Sequence, residues 1–259
     1  MKFYIDEKVF EQHPQLKVGI ILIKNFDNMR RNSSVESLLR GTCAQKAKIF
    51  ANQELDSIDE IKYWNEAYVH FGVNPKKYTP QIKALARKII QRKEVEHINT
   101  LLDISNYFAI KNLIPVHAHD LDWLCGDLRL TYAKGVEAFR AINTIEVKDA
   151  KEGEIAYMDD GGITNRYWNH MECERTKITN KTVNAVMIVE DLSDMHMDKF
   201  GEILREMQNS VIKYIGGQIE PYIISKGSPA IEMGIEGRRS ADDSKIPQQE
   251  IAYFLENHK

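Results

Sequence analysis

The hydrophobic pattern changes period near Pro115, and that switch limits the folds open to this chain. Before it, apolar residues recur mostly at helical spacing; after it, short alternating or continuous apolar runs lie between turn residues. Val35, Leu38, Leu39, Cys43, Ala47 and Phe50 make one helical stripe, with Ser33 and Glu36 at the spacing of a capping box. Ile58, Ile61, Trp64 and Tyr68 make a second. Thr79-Pro80 sets a cap and a first-turn proline before Ile82, Leu85, Ala86, Ile89 and Ile90. Ile98 to Lys111 reads as a further helix that stops at Asn112, with Pro115 just beyond.

After Pro115, Leu128, Leu130 and Tyr132 alternate, and Ala138 to Ile142 is short and apolar. Ile155 to Met158 precedes the turn Asp159-Asp160-Gly161-Gly162, and Thr182 to Val189 reads as a buried strand. One amphipathic helix, through Met197, Phe200, Leu204, Met207 and Val211, and one strand, Ile219 to Ile224, follow. At the start of the chain, Phe3 to Ile5 and the β-branched run Lys17 to Lys24 read as strands, the second buried on both faces, with a turn over Asn25 to Asn32. Ser225 to Ser244 reads as a mobile loop, and Pro247 to Asn257 as a closing helix through Ile251, Phe254 and Leu255. Helices gathered in the first half and strands in the second point to an α+β fold, its helices packed on a mostly antiparallel or mixed sheet.

Composition narrows the classes further. The longest apolar run, Val18 to Ile23, is far shorter than the roughly 20 residues that cross a bilayer, and the first residues lack an apolar signal core. A cytoplasmic protein with no membrane partner is the expectation. Three cysteines without a CxxC pair support neither a disulfide framework nor a zinc ribbon. A net charge of −3 directs any nucleic-acid contact to local patches. Such a patch is offered by Lys76 and Lys77 together with Lys83, Arg87, Lys88 and Arg92 on one side of the third helix; the competing reading is a solvated helix face.

No Walker loop, GxGxxG after a strand, HExxH or GxSxG occurs, so no cofactor is expected. The segment that stands out is Pro115-Val116-His117-Ala118-His119-Asp120-Leu121-Asp122, two histidines and two carboxylates read as one short loop. Three readings compete there: a catalytic loop, structural histidines with Asp120 as a cap, and a metal site on His117 and His119. Leu121 and Asp122 stand where a binuclear hydrolase would need further ligands, which counts against the metal. Asp103 and Asn106 lie one turn apart on an apolar helix, where both residue types are disfavoured unless hydrogen-bonded. Arg166-Tyr167-Trp168-Asn169, followed by Glu172 to Lys177, mixes the side chains that a polar pocket or an RNA end uses.

The run Asn99-Thr-Leu-Leu-Asp103-Ile-Ser-Asn106-Tyr107, continuing to Pro115-Val-His117-Ala-His-Asp120, resembles the B3/B4 editing domain of the phenylalanyl-tRNA synthetase beta subunit. That family reads broadly as V-D-[VI]-[TS]-N-Y followed by Q-P-x-H-A-F-D. Glu174-Arg-Thr176-Lys-Ile-Thr-Asn-Lys-Thr182-Val-Asn184 parallels its G-G-E-H-S-x-V-x-x-x-T-x-N segment. Together the two motifs span roughly residues 70 to 190.

The resemblance implies a freestanding deacylase that hydrolyses mischarged aminoacyl-tRNA, of the tyrosyl-tRNA(Phe) kind, at its aminoacylated 3′ end. A pocket built for phenylalanine cannot strongly reject tyrosine, so a second site must remove the error. By position, His117 falls at the hydrolytic centre and Glu174 at the reader of the tyrosine hydroxyl. Asp103, Asn106, His119, Trp168, Arg175 and Thr176 are then expected around the substrate, and the basic patch on the tRNA. Two departures stand out: Glu172-Cys173 replaces the two glycines before the glutamate, and His119 stands where the family has phenylalanine. The expected division is an N-terminal strand and helix segment over 1–69, a B3/B4-like unit over 70–224, and a loop and helix over 225–259. The rivals are a binding module that keeps the fold without hydrolysis, and a metal-dependent hydrolase.

Overall fold

The computed structural model describes residues 1–92 and 94–235, so the closing helix expected over Pro247 to Asn257 lies outside the described residues. The fold is α+β. Among the described residues the strands are β1 (Lys2–Ile5), β2 (Lys17–Lys24), β3 (Val116–Asp120), β4 (Leu128–Tyr132), β5 (Ala138–Arg140), β6 (Val147–Asp149), β7 (Ile155–Asp159), β8 (Gly162–Arg166), β9 (Met171–Glu172), β10 (Asn184–Asp191), β11 (Gln218–Ile224) and β12 (Ala230–Glu232). The helices are α1 (Glu7–Gln12), α2 (Ser33–Phe50), α3 (Asp59–His70), α4 (Gln81–Arg92), α5 (Thr100–Asn112) and α6 (Met197–Ile215). None is long and apolar enough to cross a membrane.

The strands form a four-stranded antiparallel sheet, ordered β11-β2-β10-β3, and a six-stranded mixed sheet, ordered β12-β1-β4-β7-β8-β9, in which only β1 and β4 run parallel. A small β5-β6 hairpin stands beside β8. Alternation along the four-stranded sheet sorts its side chains. Ile21, Ile23, Val116, Ala118, Ala185, Met187 and Val189 face α5 and α6, while Val18, Ile20, Leu22, Val186 and Ile188 join the core shared with the second sheet and α2 to α4. Gly19 lets α6 close on this sheet, since a Cβ there would strike Leu204. Both N-terminal strands take interior places: β2 sits between β10 and β11, and β1 between β4 and β12.

Several local readings are corrected. Asn32, not Ser33, caps α2, accepting from the Ser34 and Val35 amides at 3.1 and 3.3 Å. Glu36 is held instead by Arg31 through two bonds of 2.5 and 2.8 Å, so the reciprocal box does not form. The segment between the first two strands holds α1, capped by Asp6; its six residues are too few to show a helical period. Part of the expected C-terminal loop is ordered as β12, which pairs with β1. Lys83 is buried, paired with Asp56 and Asn65, because it falls on the inner face of α4 beside Ile82 and Ala86.

Candidate functional site

The histidine segment is not a loop. It is β3, an edge strand with every residue buried, paired on one side with β10 so that His117 lies opposite Ile188 and His119 opposite Val186. Residues two apart on a strand share a face. Both imidazoles therefore point into the layer between the two sheets, their ring centroids 5.5 Å apart, with His117 4.9 Å from the ring of Tyr157 on β7.

The two histidines differ in what holds them. His119 Nδ1 is 3.0 Å from Thr176 Oγ1, which in turn lies 3.1 Å from Cys173 Sγ. Its Nε2 and both ring nitrogens of His117 are buried without a hydrogen-bond partner among the described residues. Burial, helped by Arg175, depresses the His119 pKa to about 3; burial, helped by His119, holds His117 well below 6.5. Both rings are neutral at pH 7, so His117 can orient water or an ester but is a weak proton acceptor.

The second motif closes over the first. Thr176 O accepts from the Asp120 amide at 2.9 Å, Thr182 Oγ1 donates to Asp120 Oδ2 at 2.6 Å, and Asn184 Nδ2 reaches the Asp122 carboxylate at 3.1 Å. Asp120 also caps the turn after β3, bonding the Asp122 amide at 3.0 Å. Arg175 is fixed by Asp159 at 2.5 and 2.9 Å and by the Trp123 carbonyl at 2.6 Å. Glu174 turns to the Asn143 amide, at 2.8 Å, and to the Lys177 ammonium.

Other sequence-selected residues lie elsewhere. Trp168 is fully buried; it donates to Glu190 at 2.5 Å and packs edge-on against Trp64 and His13, which makes it core rather than pocket lining. It and Tyr167 adopt consecutive left-handed conformations, φ 65 and 45, which turn the indole inward. Asp103 lines a separate cavity of about 300 Å³ with Arg31, Glu36 and His97; its Oδ2 is 2.6 Å from His97 Nδ1, and burial raises its pKa. Asn106 is half-buried on α5. Lys76 and Lys77 are exposed; Arg87 bonds Thr79 Oγ1 at 3.2 Å, and Lys88 and Arg92 both reach Glu96, at 3.7 and 2.8 Å. Among the described residues no three His, Cys, Asp or Glu side chains gather as a metal site.

Sequence reasoning missed Glu190. This carboxylate on β10 is fully buried and accepts from Tyr157 Oη and Trp168 Nε1, both at 2.5 Å, and from Asn169 Nδ2 at 2.9 Å. Burial raises its pKa to about 7 against the pull of those three donors. The available signal was a glutamate directly continuing the apolar run that ends at Val189.

Fold and site together define a domain in which a strand-borne histidine pair is sealed by a second, distant motif. A model of the B3/4 domain family matches residues 63–202, and the chain belongs to that family. It is 30% identical over 100 residues to the phenylalanine–tRNA ligase beta subunit of Mycoplasmoides gallisepticum, a match that takes in 38% of this chain and 12% of that protein. The chain thus spans only a small part of this curated relative. An N-terminal fragment of the phenylalanyl-tRNA synthetase beta subunit from Pyrococcus horikoshii aligns at a TM-score of 0.43 and 13% identity, over 84% of this chain and 49% of the fragment.

Proposed function

We propose that this chain acts on the aminoacylated 3′ end of tRNA, hydrolysing the ester of a mischarged aminoacyl-tRNA. Water adds to the ester carbonyl, the acyl–oxygen bond breaks, and the ribose hydroxyl leaves with a proton. The observation that carries the reading is His117: a neutral imidazole with both nitrogens unbonded, on a strand locked in place by the second motif. Buried polar groups are normally paired, so an orphaned ring is explained by a ligand or water that completes it. The family, and the match to a phenylalanine–tRNA ligase beta subunit at 30% identity, support tRNA as the substrate class.

His117 orients the attacking water or the ribose, because an ester activated by its neighbouring hydroxyl needs positioning more than a strong base. Glu174 keeps room for a phenolic hydroxyl, since a carboxylate offers about four acceptor sites and two are taken here. That makes tyrosyl-tRNA(Phe) the first substrate to try. Phosphates of the acceptor stem meet Lys76, Lys77, Arg87, Lys88 and Arg92; reversing Lys76, Lys77 and Arg92 reduces the salt slope of tRNA binding by about 0.7 to 0.9 per lost contact.

The test is release of amino acid from a panel of mischarged tRNAs. His117→Ala lowers the rate for every substrate, by up to about 10² for a residue that positions rather than takes the proton. Glu174→Ala instead narrows the difference between polar and apolar amino acids. Tight tRNA binding with no release across the panel would replace this reading by a second one, a non-catalytic aminoacyl-tRNA binding module. That reading has its own support in the near-complete enclosure of both histidines, each 1% exposed.

A further inference from the structure

The β5-β6 hairpin overhangs a cleft beside the histidine layer. Its outer part, of about 380 Å³, is walled by Tyr78, Tyr167, Phe139 and His170; its inner part, of about 430 Å³, is lined by Gln81, Asn169 and Glu172, and the two share Ala141, Thr144, His170 and Met171. Gly162 allows the hairpin its close approach, since a Cβ at its φ of +123 would press on the Ala138 carbonyl oxygen. The inner part abuts the start of β3: Gln81 bonds both the amide and the carbonyl of Val116, at 2.8 and 2.7 Å, one residue before His117.

Strand register ties the two places together. Tyr157, Asn165 and Glu172 lie opposite one another on β7, β8 and β9, so their side chains share one face of the sheet, the face from which Tyr157 meets His117. At about 4.8 Å per strand, Glu172 sits roughly 10 Å along this polar row from Tyr157. Asn165 Oδ1, in the middle, is buried and unbonded.

The other polar groups of the inner part are engaged. Asn169 is bonded to Glu190, Tyr68 and the Gln81 amide, Gln81 to Val116, and His170 Nδ1 to the Thr79 carbonyl. The Glu172 carboxyl has no hydrogen bond or ion pair among the described residues, and it is the one acidic group of that lining. The side chain is half-buried, and its partial removal from water raises its pKa to about 7. A half-buried carboxylate that lines a cleft with no cation bonded to it among the described residues is matched best by a ligand that brings one.

We propose that Glu172 is a specificity-determining residue that binds the α-ammonium of an aminoacyl-nucleoside, with a flat ring of the ligand resting against Tyr78 and His170 in the outer cleft. The proposal rests on the deacylase reading for its substrate class, but its test needs no hydrolysis. The probes are 3′-deoxy-3′-(L-phenylalanylamino)adenosine, an amide in place of the ester, and its counterpart with a 3-phenylpropanoyl group, which lacks the ammonium.

Calorimetric titration at pH 7 should show the wild-type chain binding the ammonium probe about 10- to 100-fold more tightly than its counterpart, the range for a charge-assisted bond. Glu172→Gln, of equal size, should reduce that preference to within about twofold. Thermal melting checks that the Gln variant is folded. In the wild-type chain, a carbon-detected NMR titration should show the Glu172 pKa falling from about 7 on saturation with the ammonium probe only. Equal affinity for the two probes, binding of neither, or a preference retained in Glu172→Gln would each overturn the proposal. A Glu172-dependent preference in a chain that releases no amino acid from any mischarged tRNA would remove the deacylase reading and leave this one standing.

Discussion

Glu190 and His117 occupy neighbouring strands of one sheet, two residues out of register, and both are buried in the same layer, yet they are treated in opposite ways. Glu190 receives three donors, from Tyr157, Trp168 and Asn169, which hold the β7 and β8 side of the molecule to β10. His117 receives none. A fully bonded buried carboxylate is a structural joint; an unbonded buried imidazole contributes nothing to the fold that an apolar ring would not. The difference separates the residue that builds the site from the residue left available to a ligand.

The largest expected effect tests the first half of that contrast. Glu190→Ala strands three buried donors and opens a void, and should lower the unfolding free energy by about 3 kcal/mol or more. Urea denaturation reads it directly, and a loss below about 1 kcal/mol would remove Glu190 from its role as a joint.

Next comes pH. The Glu190 pKa is raised from the ordinary 4.5 to about 7, so the folded state holds the extra proton in that window and stability from this group falls as pH rises from about 4.5 to 7. The histidine pKa values are lowered, to about 3 for His119, so the unfolded state holds the extra proton below 6.5 and stability from these groups rises with pH over about 3 to 6.5. The two slopes oppose each other between 4.5 and 6.5. Glu190→Gln should remove one of the carboxyl slopes that oppose the histidines, that of Glu172 remaining, and change the pH dependence by up to about 1.4 kcal/mol per unit. Stability curves for wild type and variant that stay parallel from pH 4.5 to 6.5 would show that Glu190 does not titrate there.

His119 stands between the extremes, bonded at one nitrogen. Thr176→Val removes the hydroxyl that joins it to Cys173 and should cost about 1 kcal/mol in chemical denaturation; a cost near that of Glu190→Ala would mean that the bridge holds the two motifs together by itself. The smallest effect belongs to His117→Leu. With no partner to lose, it should change stability by no more than about 1 kcal/mol in either direction while abolishing any His117-dependent release of amino acid. A large destabilisation would show that His117 is a structural residue after all.

Much of this was legible in the chain. Lys17 to Lys24 reads as a strand because a run of eight residues rich in Val and Ile is too short for a buried helix, and the stripe from Phe200 to Val211 reads as a helix by its three-and-four spacing; both form as expected. The switch near Pro115 gave the α+β class, and the two motifs gave the segments that meet. Polar content misled at the histidines: His, Asp and a preceding proline suggest a loop, but Val116 to Asp120 is a buried strand because β10 supplies its ladder. Charge misled at Lys83, where the inner face of α4 keeps an ammonium because Asp56, 27 positions earlier, arrives to pair with it.

Sequence by itself therefore determined the local periods, the class and the identity of the chemical groups, since those depend on neighbours within a few residues. Only the tertiary structure decided which groups are paired. Whether Glu190 is satisfied, His117 orphaned, Trp168 sunk in the core or Glu172 set at the head of a cleft depends on contacts between strands distant in the chain. The desolvation that makes each of those choices costly or permissible exists only once the two sheets have closed.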